Sequence, residues 1–198
     1  MRPSSAPSGW SSSGSVRRHV QVVALAGCLA VLGACGQGTQ SALPGTPSAS
    51  SATHDKDTPT STAEVDVPRE GVEPALVTGV RYAAHDTYDR LVVDLEGGIP
   101  GYNVKWVDQF VEDGSGKPMD VHAGAYLLLT LFPANAHDEE GEPTWGDGLI
   151  YQADLGNLTS VVRTGDFEGR VGIGLALAKK APFQVKELDN RLILDVAH

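Results

Sequence analysis

Cysteine is nearly missing from this chain of 198 residues: there are two, and both precede residue 36. The body that follows therefore has no disulfide, no thiol nucleophile and no thiolate zinc site. Basic residues are also scarce, 15 Lys+Arg against 25 Asp+Glu, for a net charge of −10. Nucleic acid and anionic lipid both demand a basic face, so neither is expected as an electrostatic partner. Aromatic residues make up only 6 % of the chain. No stretch sustains helical spacing over three turns. Catalytic signatures are missing too: there is no Gly-x-Ser-x-Gly elbow, no glycine-rich phosphate loop and no His-Glu-x-x-His helix.

What is present begins with an address. Arg17-Arg18-His19 is a positive cluster, and Val20 to Ala34 follows without a charge and with one polar amide, Gln21. That is the n-region and h-region of an export signal, too short for a permanent membrane span. The apolar run ends in Leu32-Gly33-Ala34-Cys35. A large aliphatic residue, two small ones and a cysteine form the bacterial lipobox, so residues 1–34 read as a lipoprotein signal peptide and Cys35 as the lipidated residue. Leu25-Ala26-Gly27-Cys28 fits the same pattern, but cutting there strands the apolar Leu29 to Ala34 on the mature chain. Removing the signal takes away Arg2, Arg17 and Arg18 and no acid. The net charge becomes −13, from 12 basic and 25 acidic residues.

Gly36 to Glu73 is rich in Ser, Thr, Ala, Pro, Gly and Asp and has almost no large apolar residue. Such a segment cannot repay its ordering entropy, so residues 35–73 read as a lipidated cysteine and a disordered linker. As a flexible coil it reaches about 30–40 Å. From residue 74 to 198 the pattern changes to short alternating runs separated by Gly, Pro, Asn and Asp. These runs are Val77–Tyr82, Arg90–Leu95, Tyr102–Val107, Ala125–Phe132, Leu149–Ala153, Leu158–Arg163, Val171–Leu177, Phe183–Leu188 and Arg191–Val196. Asp113-Gly114-Ser115-Gly116 has the chemistry of a hairpin tip. Eight or nine short strands at this spacing predict an all-β fold, a small two-sheet β-sandwich or a barrel. One internal echo stands out: Asp89-Arg90-Leu91-Val92-Val93-Asp94-Leu95 matches Asn190-Arg191-Leu192-Ile193-Leu194-Asp195-Val196. It suits two equivalent strands in two related sheets.

Candidate general acids and bases are His85-Asp86, His122 and the cluster His137-Asp138-Glu139-Glu140 with Glu142, in the long loop from Pro133 to Trp145. Long loops are where function concentrates. Asp138, Glu139, Glu140 and Glu142 are the candidate oxygen ligands for Ca²⁺, although their spacing is not that of an EF-hand and a solvated acidic loop is the commoner outcome. A hydrolase would need its site near His137. Binding is the stronger expectation, because sugars present C–H faces to aromatic rings and hydroxyls to Asp, Asn and Arg. Tyr82, Tyr88, Tyr102, Trp106, Trp145 and Tyr151 are the available rings. Trp145 and Tyr151, with His137 and Asp138, are the expected ligand contacts; Trp106 is expected to pack in the sheet. A sandwich edge also offers a place for a strand from another chain.

Val77-Thr78-Gly79-Val80-Arg81, the Asp89–Val93 strand, the Pro133–Asp138 loop, Asp166-Phe167-Glu168-Gly169 and the closing Pro182–Val185 and Arg191–Val196 segments, in that order, resemble the AMIN-like domain of actinobacterial lipoproteins. The resemblance spans most of residues 76 to 197. It implies a sandwich of two small sheets, no catalytic residues, and a targeting module of the cell envelope thought to engage peptidoglycan. The expectation is then a lipoprotein on the outer face of the cytoplasmic membrane, held by the lipid on Cys35. Its non-enzymatic domain, residues 74–198, would bind peptidoglycan or another cell-wall polymer, or recruit an envelope protein. No cofactor is implied.

Overall fold

The computed structural model describes residues 57–198. The expected signal peptide, Cys35 and most of the expected tether lie outside the described residues. Eleven strands follow in order: β1 (Val65–Val67), β2 (Ala75–Ala84), β3 (Tyr88–Glu96), β4 (Gly101–Val107), β5 (Ala125–Phe132), β6 (Ala134–Asn135), β7 (Ile150–Gln152), β8 (Leu158–Phe167), β9 (Arg170–Leu177), β10 (Phe183–Leu188) and β11 (Arg191–Ala197). They form a six-stranded sheet, β1-β4-β5-β9-β8-β7, and a five-stranded sheet, β10-β11-β3-β2-β6. Every pairing is antiparallel except β2 with β6. The all-β, two-sheet class is as the period-two pattern predicted.

Alternation decides which face goes inward. Leu127, Leu129 and Leu131 of β5 are fully buried, while Leu128 and Thr130 are only half-buried. Val171, Ile173, Leu175 and Leu177 of β9 join them from one sheet, and Leu91, Val93, Leu192, Leu194 and Val196 from the other. Each such side chain contributes about 1.5–3 kcal/mol when withdrawn from water.

The sequence echo resolves differently from expectation. β3 and β11 are not equivalent strands of two sheets but antiparallel neighbours in one, with Arg90 opposite Asp195 and Arg191 opposite Asp94. A strand with Arg four residues before Asp, paired antiparallel with a copy of itself, places each Arg across from an Asp. Arg90 Nε lies 2.6 Å from Asp195 and Arg191 Nε 3.2 Å from Asp94.

The described part of the expected linker, from residue 57, is not free of the domain. Val65 and Val67 pair with Val104 and Tyr102 of β4 and pack against the core. Ser61 O accepts from Phe183 N at 2.7 Å, Thr62 O from Trp106 Nε1 at 3.0 Å, and Arg69 donates to Ile99 O and Glu187. Two valines among polar residues carry little hydrophobic signal, yet a short edge strand needs only a free ladder to pair with.

Asp89, at the start of β3, ties the two sheets together. It is 1 % exposed, and its carboxylate accepts from Gly156 N (3.2 Å), Asn157 N (2.6 Å) and Leu158 N (2.7 Å), in the turn that opens β8. Asn157 extends the tie, donating to Lys179 O and Ala197 O and accepting from Lys179 N. On the outer face of the six-stranded sheet, the loop between β4 and β5 folds back over Gly174. Phe110 is buried there, and a Cβ added at Gly174 would stand 2.7 Å from its ring. Only half of that face is covered this way.

Candidate functional site

The acidic loop forms a small hairpin across the side of the sandwich. Thr144 N donates to Ala136 O, His137 bridges to Pro143, and the Thr144 hydroxyl bonds the carbonyl of Val77 on β2. Asp138 caps its own turn, accepting from Glu140 N at 3.1 Å and Glu142 N at 2.8 Å. Glu139, Glu140 and Glu142 point to water, and no three His, Cys, Asp or Glu side chains converge among the described residues. The geometry therefore gives the expected Ca²⁺ ligands no common centre.

Trp145 is 6 % exposed and belongs to the core. Most of the ring expected to meet a ligand is therefore packed in the core, and only its remaining edge borders a groove. Its ring lies 5.6 Å from that of Tyr151, with the Arg163 guanidinium 6.0 Å away. The Tyr151 hydroxyl is spent on Gly148, donating to its carbonyl at 2.7 Å and accepting from its N–H at 3.0 Å. Gly146, at φ 60°, passes so close that a Cβ there would collide with that hydroxyl. Outside these rings runs a groove of about 550 Å³ lined by Thr78, Val80, Arg81, Tyr82 and Tyr151.

His137 and Asp138 do not share that groove. His137 Nδ1 bonds the carboxylate of Asp166, which also accepts from Ala136 N at 2.8 Å. They border a separate hollow of about 270 Å³ whose wall includes Arg163, Leu149 and Pro143 and no hydroxyl or thiol side chain. A His–Asp pair is present, but among the described residues no hydroxyl or thiol side chain lines the hollow beside it.

A third hollow, of about 290 Å³, lies on the bare half of the six-stranded sheet. Register assembles it. Asp66 of β1 faces Asn103 of β4, Asn103 faces Thr130 of β5, and Thr130 faces Gly172 of β9. Asp66, Asn103 and Thr130 thus make one polar row across three strands on the outward face, ending at Gly172, which Thr164 and Asp113 cover. Phe132, two residues beyond Thr130, is 46 % exposed, and Arg170 stacks over its ring with the guanidinium carbon 4.4 Å from the centroid. Arg170 makes no ion pair among the described residues. Opposite Phe132 is Gly101, where a Cβ would press on Phe132 O at 2.8 Å, so the floor is open backbone. A ring, an amide, a hydroxyl, a guanidinium and a carboxylate on one open face make a surface for a polyol with an apolar side.

The wall of this hollow is fixed by an ion pair. Arg69 reaches Glu187 at 2.6 Å, and the Tyr102 hydroxyl donates to the same carboxylate at 3.0 Å. Burial alone would raise the Glu187 carboxyl, but the bonds from Arg69 and Tyr102 outweigh it and hold it below its ordinary value. Burial, and then the bond to Glu187, push the Tyr102 phenol up to about 12. Asp113, beside Gly172, is held above the usual carboxylate range by burial, against the pull of Thr164 and Arg170.

The AMIN-like domain model matches residues 75–198. The chain belongs to the AMIN-like domain family. No curated protein and no solved structure matches it. The match starts at β2, so β1 and the segment around Arg69 lie N-terminal to the AMIN-like domain while packing on it. Membership makes this an envelope-associated binding or targeting module, in a family whose domains are generally non-catalytic. Sequence reading missed Asp66, Asn103, Thr130, Phe132 and Arg170. The outward positions of β5 were visible as Thr130 and Phe132, but which half of the face stays bare depends on where the β4–β5 loop lands.

Proposed function

We propose that this protein is a lipoprotein anchored through Cys35 on the outer face of the cytoplasmic membrane, whose AMIN-like sandwich is a non-catalytic module for peptidoglycan or another cell-wall polymer. The carrying observation is the bare half-face with Phe132 stacked by Arg170 beside the Asp66–Asn103–Thr130 row. An exposed ring bordered by polar groups takes the C–H face of a sugar while its neighbours take the hydroxyls. The net charge of −13 from Cys35 onward suits a largely uncharged or zwitterionic polymer better than an acidic one. The export signal and lipobox supply the address, and the low-complexity segment after Cys35 supplies reach toward the wall.

The test is co-sedimentation of the full chain, in non-ionic detergent, with protein-free cell-wall sacculi. Saturable pelleting that Phe132→Ala or Asn103→Ala weakens is the expected result. A chain that stays in the supernatant at every salt concentration overturns the reading.

A further inference from the structure

The two long sides of the sandwich are finished differently. On one side the outer edge of β10 meets the chain's own N-terminal segment: Phe183 N donates to Ser61 O at 2.7 Å, and Gln184 Nε2 to Asp57 O at 2.7 Å. On the other side β6 covers β2 only at Ala75 and Leu76, and the Thr144 hydroxyl takes the Val77 carbonyl. From Thr78 to Ala84 no strand pairs with the outer edge of β2 among the described residues. These residues are exposed or half-buried. At ~3.3 Å per residue this is an open edge of roughly 20 Å, with alternate main-chain N–H and C=O groups facing water.

That edge borders the 550 Å³ groove, whose wall includes Val80, Tyr82, Trp145 and Tyr151. An extended segment laid along β2 would turn every second side chain toward this wall. Charge selects among such segments. Arg81, the cation of the edge, is held by Asp94 through two bonds of 2.7 and 2.8 Å. Glu96 lies at the closed end of β2, opposite Leu76, and Asp147 follows Gly146 of the groove wall. The turn that ends in Thr144 carries Glu139, Glu140 and Glu142. All five are exposed, and none makes an ion pair among the described residues.

We propose that the Thr78–Ala84 edge docks an extended segment of a partner polypeptide in which apolar residues alternate with lysine or arginine. Main-chain bonding supplies affinity, the groove takes the apolar positions, and the unpaired carboxylates take the cations. A second copy of this chain brings the same uncompensated acids to the same edge, so charge favours a basic partner over self-pairing. The proposal is independent of the glycan reading, which concerns another face.

The experiment uses the full chain in non-ionic detergent and labelled extended peptides of roughly ten residues. One alternates valine with lysine, a second is its twin N-methylated at alternate residues, and a third alternates valine with glutamate. Anisotropy gives affinity and amide exchange gives location. The valine–lysine peptide is expected to bind saturably and to slow exchange at Thr78–Ala84. Blocking main-chain donors or reversing charge should each weaken binding by about tenfold or more. The combined variant Glu139→Gln, Glu140→Gln and Glu142→Gln, all on an exposed turn, should weaken it several-fold with exchange elsewhere unchanged. Equal binding of the N-methylated twin overturns the proposal, as does protection away from β2 or no saturation. Dimerisation of the chain that itself protects Thr78–Ala84 makes a second copy the occupant, and displacement of the peptide by wall glycan fragments makes it a sugar. Either also overturns it.

Discussion

Replacing Asp89 by alanine should cost this sandwich a large part of its stability. The carboxylate is buried in the five-stranded sheet and receives three N–H groups from the turn that starts β8 in the other sheet. No arginine or lysine pairs with it among the described residues; those three donors hold its charge, with His198 Nε2 further off at 3.9 Å. Asn157 and Leu158 are themselves buried, so their N–H groups have no water to turn to. A buried donor left unsatisfied costs about 1–3 kcal/mol, and bonds to a charged acceptor lie in the upper part of that range. Two fully orphaned donors and one partly hydrated one give about 3–5 kcal/mol, against a total of about 5–15 kcal/mol for a domain of this size. Asp89→Asn keeps one acceptor oxygen and should lose about half as much. Urea unfolding followed by tryptophan fluorescence reads both, with Asp86→Ala, on the exposed turn before β3, as a control expected within ~0.5 kcal/mol of wild type. If Asp89→Ala lost under ~1 kcal/mol, the idea that this nest couples the two sheets would be wrong.

Three further outcomes follow from the same structure. Gly174→Ala, ordinarily a favourable change in a strand, should instead destabilise by about 1–3 kcal/mol because Phe110 occupies the space of the new methyl; an unchanged urea midpoint would refute that packing. Arg90→Met should cost about 3–5 kcal/mol by leaving Asp195, wholly buried, short of its main partner, whereas Arg81→Met, which removes a side chain 60 % exposed from the partly exposed Asp94, should cost far less. Equal losses in denaturant titrations would contradict the difference in burial. On pH, the Asp94 carboxyl is lowered chiefly by its bond to Arg81, and Glu187 is also lowered. Their stabilisation is therefore present above the ordinary values of 3.8 and 4.5 and lost as pH falls through the lower folded values. The neutral Tyr102 phenol is favoured in the fold, so stability should fall as pH rises from 10 towards about 12. Thermal midpoints across pH check both limbs, and Tyr102→Phe should flatten the alkaline one; an alkaline limb unchanged in that variant refutes the assignment.

Which parts of this molecule are readable in its sequence follows from the range of the interactions involved. The class and most strands are local facts: β5 alternates strictly, and β3 and β11 turn their leucines and alternate aliphatic residues inward, with the buried Asp89 and Asp195 breaking the pattern. β1 and β6 escape notice because three and two residues carry no periodicity, and they exist only because β4 and β2 offer ladders. The echo between β3 and β11 was visible, but a repeated Arg-x-x-x-Asp does not say whether its copies lie in separate sheets or answer each other across one. Asp89 and Asp166 look like turn residues until distant chain segments arrive to bond them. Trp145 misled because a tryptophan in a Gly- and Asp-rich loop has the composition of an exposed ring; the unfilled space between β2 and β8 draws it inside.

Whether the bare face of the six-stranded sheet takes a sugar can be read from where a soluble wall glycan touches the domain. Amide shift changes recorded during titration with muropeptide-free glycan fragments should gather on Asn103, Thr130, Phe132 and Arg170, and Phe132→Ala should abolish them while leaving the rest of the spectrum in place. Changes gathered instead along Thr78 to Tyr82, or none up to saturating fragment, would contradict the proposal that this face binds glycan.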